Sequence, residues 1–322
     1  MVRQVSKSDA AAARKALSGL DAYANAARLP KRPERTAVAR VGGAALRDFG
    51  GNGRPIVLIP SLINPPDVLD LDEDVSLAGA LATGGRQVLL VDWGQARERA
   101  GLDIGGHVET LLLPLLDSIG EPAAIVGYCL GGTMAIAAAQ LTDVQRVATM
   151  AAPWNFARYP DESRQALLTL WEQSRTASEQ LGALPMEVMQ AGFWALDPER
   201  TVRKFAEFAA ADPGSDMARR FVTLEDWANE GEPLPLPAAR DLFEKFYLDD
   251  LPGSGKWQVG GVALNGRPSV PTLHFVAGVD RIVPPPSAAD GDQIIIPSGH
   301  VGMIVGRARF ELHRVLDQFL AD

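Results

Sequence analysis

Ala123-Ala124-Ile125-Val126-Gly127-Tyr128-Cys129-Leu130-Gly131-Gly132-Thr133-Met134-Ala135-Ile136-Ala137-Ala138 is an apolar run that changes character at its centre. The part ending at Tyr128 has the composition of a buried strand, and the part from Gly131 onward, through Gln140, reads as a helix. A cysteine sits at the junction with a glycine two residues before it and another two residues after it. Such spacing fits a chain that turns so sharply from strand into helix that side chains at those two positions would collide. The turn lifts residue 129 to the C-terminal edge of a sheet and sets a helix N-terminus beneath it, where the helix dipole favours a thiolate. Pro122 to Leu141 carries no charged side chain, yet its glycines and its change of periodicity fit a buried strand-turn-helix, not a membrane span.

The surroundings extend this pattern. Arg54–Pro60, Arg86–Asp92, Ala123–Tyr128 and Arg146–Met150 are short apolar runs bounded by turn residues. Helical stretches at Ser76–Ala82, His107–Ile119 and Gly131–Gln140 separate them. Continuous apolar strands alternating with helices predict a mostly parallel sheet covered on both faces. Pro271–Ala277 and Asp292–Ile296 resume the strands after a helix-rich interval. A closing amphipathic helix over 307–320 has Phe310, Leu312, Val315, Leu316 and Phe319 spaced for one buried face. The expected organisation is an N-terminal helical arm (1–37, helical over 4–28), a sheet core (38–155 and 256–322) and an inserted helical cap (156–255). With a nucleophile on a strand-to-helix turn, this is the α/β-hydrolase fold, an α/β class with helices on both faces.

Composition narrows the rest. The 322 residues are 47% hydrophobic and 22% charged, which suits a full-sized globular core. The net charge of -9 disfavours a general nucleic-acid partner. The first 29 residues are charged and Ala-rich, so no secretory signal is read there, and a cytoplasmic protein without a membrane span is expected. Cys129 is the single cysteine, so no intrachain disulfide and no cysteine-based metal site is expected.

A thiol nucleophile needs a base, and the base needs an orienting acid, which this fold supplies in the order nucleophile, acid, histidine. Of the four histidines, His300 alone lies in a Gly-flanked loop after a late strand. His274 reads as a mid-strand core or face residue, and His107 and His313 as surface or packing residues on helices. Asp280 directly follows the penultimate strand and is preferred over Asp290 and Asp292. Tetrahedral intermediates need an oxyanion site: the Leu130 N–H at the helix start and the Leu62 or Ile63 N–H after the first parallel strand are the candidates. Asn64, Asp92, Trp93 and Trp154 are candidate pocket residues, with turn formation or capping as the alternative for Asn64, Asp92 and Trp93. The cap cations Arg200, Arg203, Lys204, Arg219 and Arg220 either meet an anionic leaving group or form a solvated helix face.

Particular segments carry a family likeness. They are Ile59-Pro60-Ser61-Leu62-Ile63-Asn64 with Leu69-Asp70-Leu71, Val91-Asp92-Trp93-Gly94, Gly127-Tyr128-Cys129-Leu130-Gly131-Gly132-Thr133 and Ala152-Pro153-Trp154-Asn155-Phe156. Phe221–Trp227, Gly278–Pro285 and Gly299-His300-Val301-Gly302 complete the set. From about residue 40 onward the chain resembles the catalytic subunits of polyhydroxyalkanoate synthases, of the short kind that works with a second subunit. The resemblance implies an acyltransferase that loads (R)-3-hydroxyacyl groups from CoA thioesters onto Cys129, with His300 activating it, and polymerises them into polyester. On this reading Asp280 orients His300 or helps deprotonate the substrate hydroxyl. CoA enters as part of the substrate, with no separate cofactor or metal, and the partners are the polyester chain and a second synthase subunit or second copy of the chain, at the surface of polyester granules. A Cys-dependent hydrolase of esters or thioesters is the alternative.

Overall fold

The computed structural model describes residues 10–30 and 32–321. Its centre is a sheet of eight strands: β1 (Ala37–Val41), β2 (Ala44–Asp48), β3 (Pro55–Ile59), β4 (Gln87–Asp92), β5 (Ala124–Tyr128), β6 (Arg146–Met150), β7 (Thr272–Ala277) and β8 (Asp292–Ile296). They lie in the order β1-β2-β4-β3-β5-β6-β7-β8. From β4 to β8 all neighbours are parallel, whereas β1 and β2 form an antiparallel hairpin and β2 pairs antiparallel with β4. The six strands expected from apolar runs are all present, and the hairpin is an addition. Its β1 alternates between half-buried and exposed, so it lacks the apolar run that marks the inner strands, and Gly42, at φ 56°, makes its turn.

Period-two alternation divides the core into two layers. Val57, Ile59, Leu89, Val91 and Ile125 point to one face, and Ile56, Leu58, Val88, Leu90 and Val126 to the other. The second face is covered by α2 (Leu77–Thr83) and the C-terminal helix. The first is covered by a helix built of Ile104–His107 and Leu113–Asp117 with a π-helical turn, Val108–Leu112, between them, and by the helix that follows Cys129, Leu130–Ala138. We call these α3 and α4. The start of α3 lies three residues before the expected His107, because the Asp103 carboxylate caps it by accepting from the Gly106 N–H at 2.7 Å. This puts His107 in the interior, wholly buried, with Nδ1 2.7 Å from the Asp103 carbonyl.

Between β6 and β7 lies the helical insertion: α5 (Asp161–Leu181), α6 (Met186–Leu196), α7 (Pro198–Phe208), α8 (Asp216–Asn229) and α9 (Leu236–Arg240), the last continuing as a π-helical segment, Asp241–Leu248. Trp171, Leu184, Met186, Leu242, Phe243 and Phe246 of this insertion join the same buried cluster as Val57 and Ile125 of the sheet. Phe243 is fully buried and stacks on Trp171 with ring centroids 5.3 Å apart.

The arm helix, α1, spans Ala10–Ala24; residues 4–9 of the expected helix lie outside the described residues. It packs on α7, and a Cβ built on Gly19 would lie 1.8 Å from the Phe205 carbonyl oxygen. Leu17 is exposed, and the buried stripe runs through Ala16 and Gly19, because small residues permit the close crossing. The closing helices are α10 (Gly302–Val305) and α11 (Arg309–Ala321). On α11, Leu312 and Leu316 are buried, but Phe310 is 64% exposed, contrary to its expected place on the buried face, and lies under the Arg309 guanidinium, 4.3 Å from the ring centroid. No helix among the described residues is long and apolar enough to cross a membrane.

The shared core makes a prediction. Phe243→Ala should destabilise the chain by about 3–5 kcal/mol, and chemical denaturation followed by tryptophan fluorescence and by circular dichroism should give one coincident transition. Separate transitions for insertion and sheet would contradict a common core.

Candidate active site

Cys129 occupies the turn between β5 and α4 with φ 54° and ψ -129°, a conformation that a side-chain-bearing residue adopts only when its surroundings impose it. The constraint is steric on both sides. A Cβ on Gly131 would lie 2.1 Å from the Ile59 carbonyl oxygen, and one on Gly127 2.4 Å from the Gly132 Cα. One on Gly132 would meet the Ala152 Cβ at 2.3 Å. The Cys129 N–H donates to the Met150 carbonyl at 2.9 Å, pinning the turn to β6. Cys129 itself is half-buried and forms no disulfide.

Two loops converge on this turn. Asp280 follows β7, is buried, and accepts through Oδ1 from the backbone N–H groups of Ile282 (2.8 Å) and Val283 (3.0 Å). Its Oδ2 lies 2.7 Å from His300 Nδ1, so the carboxylate is held in place by its own loop and in turn fixes the imidazole. Only β8 and a short 3-10 turn, Pro285–Ser287, separate the two residues, and 20 residues suffice to bring them together. Burial by itself would lower the His300 pKa, but Asp280 and the Cys129 side chain outweigh it and push it up to about 10. The Tyr128 ring packs against His300 with centroids 5.1 Å apart.

The other histidines have different surroundings. Burial pushes His107, His274 and His313 down to about 4, and none has a carboxylate hydrogen-bonded to its ring. His274 pairs through Nδ1 with Thr149 Oγ1 at 2.8 Å inside the sheet. Asp290 is taken by Arg158 at 2.7 Å, and Asp292 opens the exposed end of β8. Among the described residues no cluster of three or more His, Cys, Asp or Glu side chains is arranged to hold a metal ion.

The remaining candidates separate by position. The Ile63 N–H is engaged by Ser61 Oγ at 3.2 Å, whereas the Leu62 and Leu130 N–H groups have no acceptor among the described residues. Asn64 reaches into the insertion, donating to the carbonyls of Ala228 (3.3 Å) and Glu230 (3.4 Å); the Trp227 indole N–H adds a bond to the Pro65 carbonyl at 2.9 Å. Asp92 pairs with Arg47 at 2.8 Å and accepts from the Gly94 N–H, and Trp93 is buried with its N–H on the Pro60 carbonyl. Both stand at the end of β4, two strands away from Cys129. Trp154 is buried against Trp257, in the loop that follows β6.

Four of the five cap cations are spent on carboxylates: Lys204 on Glu225 (2.7 Å), Arg203 on Glu207 (3.9 Å), Arg220 on Asp74 (2.7 Å) and Arg219 on Asp216. Arg200 has none among the described residues, and a Cβ on Gly299 would lie 3.8 Å from its Nη1. An ion pair that the sequence reading did not anticipate, Arg281 with Asp197 at 3.2 Å, joins the Asp280 loop to the first turn of α7.

No protein-family profile matches the chain. It is 27% identical over 294 residues to a poly(3-hydroxyalkanoate) polymerase subunit of Allochromatium vinosum, covering 83% of this chain and 80% of that one. A poly(3-hydroxyalkanoate) polymerase subunit of Haloarcula marismortui is 25% identical over 296 residues, and there the chain spans 60% of the relative's length. Among solved structures, epoxide hydrolase A of Mycobacterium thermoresistibile superposes with a TM-score of 0.57 at 21% identity, covering 90% of this chain and 98% of that one. A putative non-heme bromoperoxidase of Mycobacterium tuberculosis gives 0.56 at 16% identity with the same coverage. At these identities the structural likeness concerns the fold alone. The chain is thus similar in sequence to poly(3-hydroxyalkanoate) polymerase subunits and has the α/β-hydrolase fold.

Proposed function

We propose that this protein is an acyltransferase that takes (R)-3-hydroxyacyl groups from CoA thioesters onto Cys129 and polymerises them into polyhydroxyalkanoate. The observation that carries the reading is the relationship to polymerase subunits in a chain whose cysteine stands on the nucleophile turn. His300, held by Asp280, carries the proton taken from the thiol, and the sulfur attacks the thioester carbonyl. The oxyanion so formed accepts from the Leu130 N–H and, of the two candidates in the preceding loop, from the Leu62 N–H, because Ile63 already has a partner. As the C–S bond to CoA breaks, His300 returns its proton to the departing sulfur, leaving the acyl group on Cys129. A hydroxyl of the next unit or of the chain end then attacks, with His300 receiving its proton and passing it to the Cys129 sulfur as the ester forms.

The packing of the insertion over the sheet supports a site that excludes water in favour of a hydroxyl acceptor. We assign Asn64 to holding the Leu62 loop against α8, and Asp92 and Trp93 to the frame of the same sheet edge. The growing polyester and a second synthase subunit or second copy of the chain are the partners on this reading, with the reaction at the surface of cytoplasmic polyester granules.

Incubation with 3-hydroxybutyryl-CoA should release CoA, leave an acyl group on Cys129 detectable by mass spectrometry, and yield insoluble polyester. Free 3-hydroxybutyrate as the sole product would assign the chain to the hydrolases instead. Cys129→Ala should abolish CoA release while leaving the thermal unfolding curve in place.

Asp280→Asn should lower kcat by roughly 10⁴-fold. It should also change the pH dependence of stability. Because folding raises the His300 pKa from 6.5 to about 10, the stabilisation is complete below pH 6.5 and is lost as pH rises through 10. Melting temperatures measured from pH 6 to 10 should therefore fall more steeply for the wild type than for Asp280→Asn. Parallel profiles would remove His300 as the responsible group.

A further inference from the structure

We infer that Arg200 is the cation that receives the phosphate-bearing end of the thioester substrate at the mouth of the site. The inference rests on the acyl-CoA reading above. A chain with a net charge of -9 repels a polyphosphate at long range, so a local unpaired cation is needed where the thioester enters. Arg200 is exposed and, among the described residues, its guanidinium has no carboxylate partner, whereas Arg203, Lys204, Arg219 and Arg220 on the same two helices all do.

Its place is fixed from two sides. A Cβ on Gly299 would lie 3.8 Å from Arg200 Nη1, so the guanidinium stands beside the loop whose next residue is His300. Three residues earlier, Asp197 caps α7 by accepting from the Arg200 N–H at 3.0 Å and pairs with Arg281, the residue after Asp280. The first turn of α7 is thus anchored over both loops that supply the acid and the base. An intact thioester whose carbonyl meets Cys129 must extend its carrier outward from the turn, and a planar guanidinium at the rim suits bidentate contact with a phosphate. Arg200 binds the carrier, not the reacting carbonyl, so its effect belongs to substrate affinity.

The test compares two thioesters of the same 3-hydroxybutyryl group: the CoA thioester and the N-acetylcysteamine thioester, which has no phosphate. Arg200→Ala should raise KM for the CoA thioester roughly tenfold and leave both constants for the truncated thioester within about twofold. Arg200→Lys should recover part of the loss, and Arg203→Ala, from the same helix, should behave as wild type. Calorimetric titration of CoA itself into wild type and Arg200→Ala should show the same tenfold difference, which shrinks as salt is raised. An equal effect on both thioesters, or unchanged CoA affinity in Arg200→Ala, would overturn the assignment. Wild-type protein that binds CoA through Arg200 but releases no thiol from either ester would retain the site and defeat the acyl-transfer reading.

Discussion

The crowding around Cys129 is the constraint to which the rest of the site answers. β3, β5 and the start of α4 approach so closely that Gly127, Gly131 and Gly132 have no room for a methyl group, and the intervening residue is driven to φ 54°. Strain of this kind costs of order 1–3 kcal/mol and persists only where the surroundings over-determine it. Here the surroundings are the parallel strands themselves, both fully buried, together with the Met150 carbonyl that accepts from the Cys129 N–H. Because the turn is rigid, the helix N-terminus, the thiol and the Leu130 N–H keep fixed mutual positions. The loops carrying Asp280 and His300 need only be delivered to that fixed point.

Charge then distinguishes one histidine from three others. All four lie in surroundings that disfavour an imidazolium, and only His300 has a carboxylate placed to reverse the effect. The Asp280 carboxylate is itself saturated by two backbone N–H groups and the imidazole, so it is neither free to turn away nor left without compensation in the interior.

The parts legible in the sequence are those with a local signature. The strand-to-helix change at Cys129, the apolar runs of the inner strands and the glycine-flanked His300 each follow from a few consecutive residues. The hairpin β1–β2 escaped because β1 alternates between half-buried and exposed and the buried part of β2 is only Ala44, Ala45 and Leu46, too short for an apolar run. The start of α3 escaped because Gly105 and Gly106 mask a helix that Asp103 caps. Phe310 fits the period of α11 but falls just outside the stripe that Leu312 and Leu316 bury. Which of the Leu62 and Ile63 N–H groups finds an acceptor among the described residues depends on where the Ser61 side chain points, and which cap cation has no carboxylate there depends on partners as distant in sequence as Asp74. Periodicity carries no information about either.

The order of the parts along the chain has a consequence for biosynthesis. The Cys129 turn is contiguous, whereas Tyr128 and the His300 beside it are 172 residues apart. In a chain made from its N-terminus, the strands and the helix that shape Cys129 emerge well before the insertion, and the insertion before the loops of Asp280 and His300. The strands and helix that shape the Cys129 turn therefore exist before Asp280 and His300 have been made. A product that stops within the insertion would hold the strained Cys129 turn but neither of the two loops that converge on it.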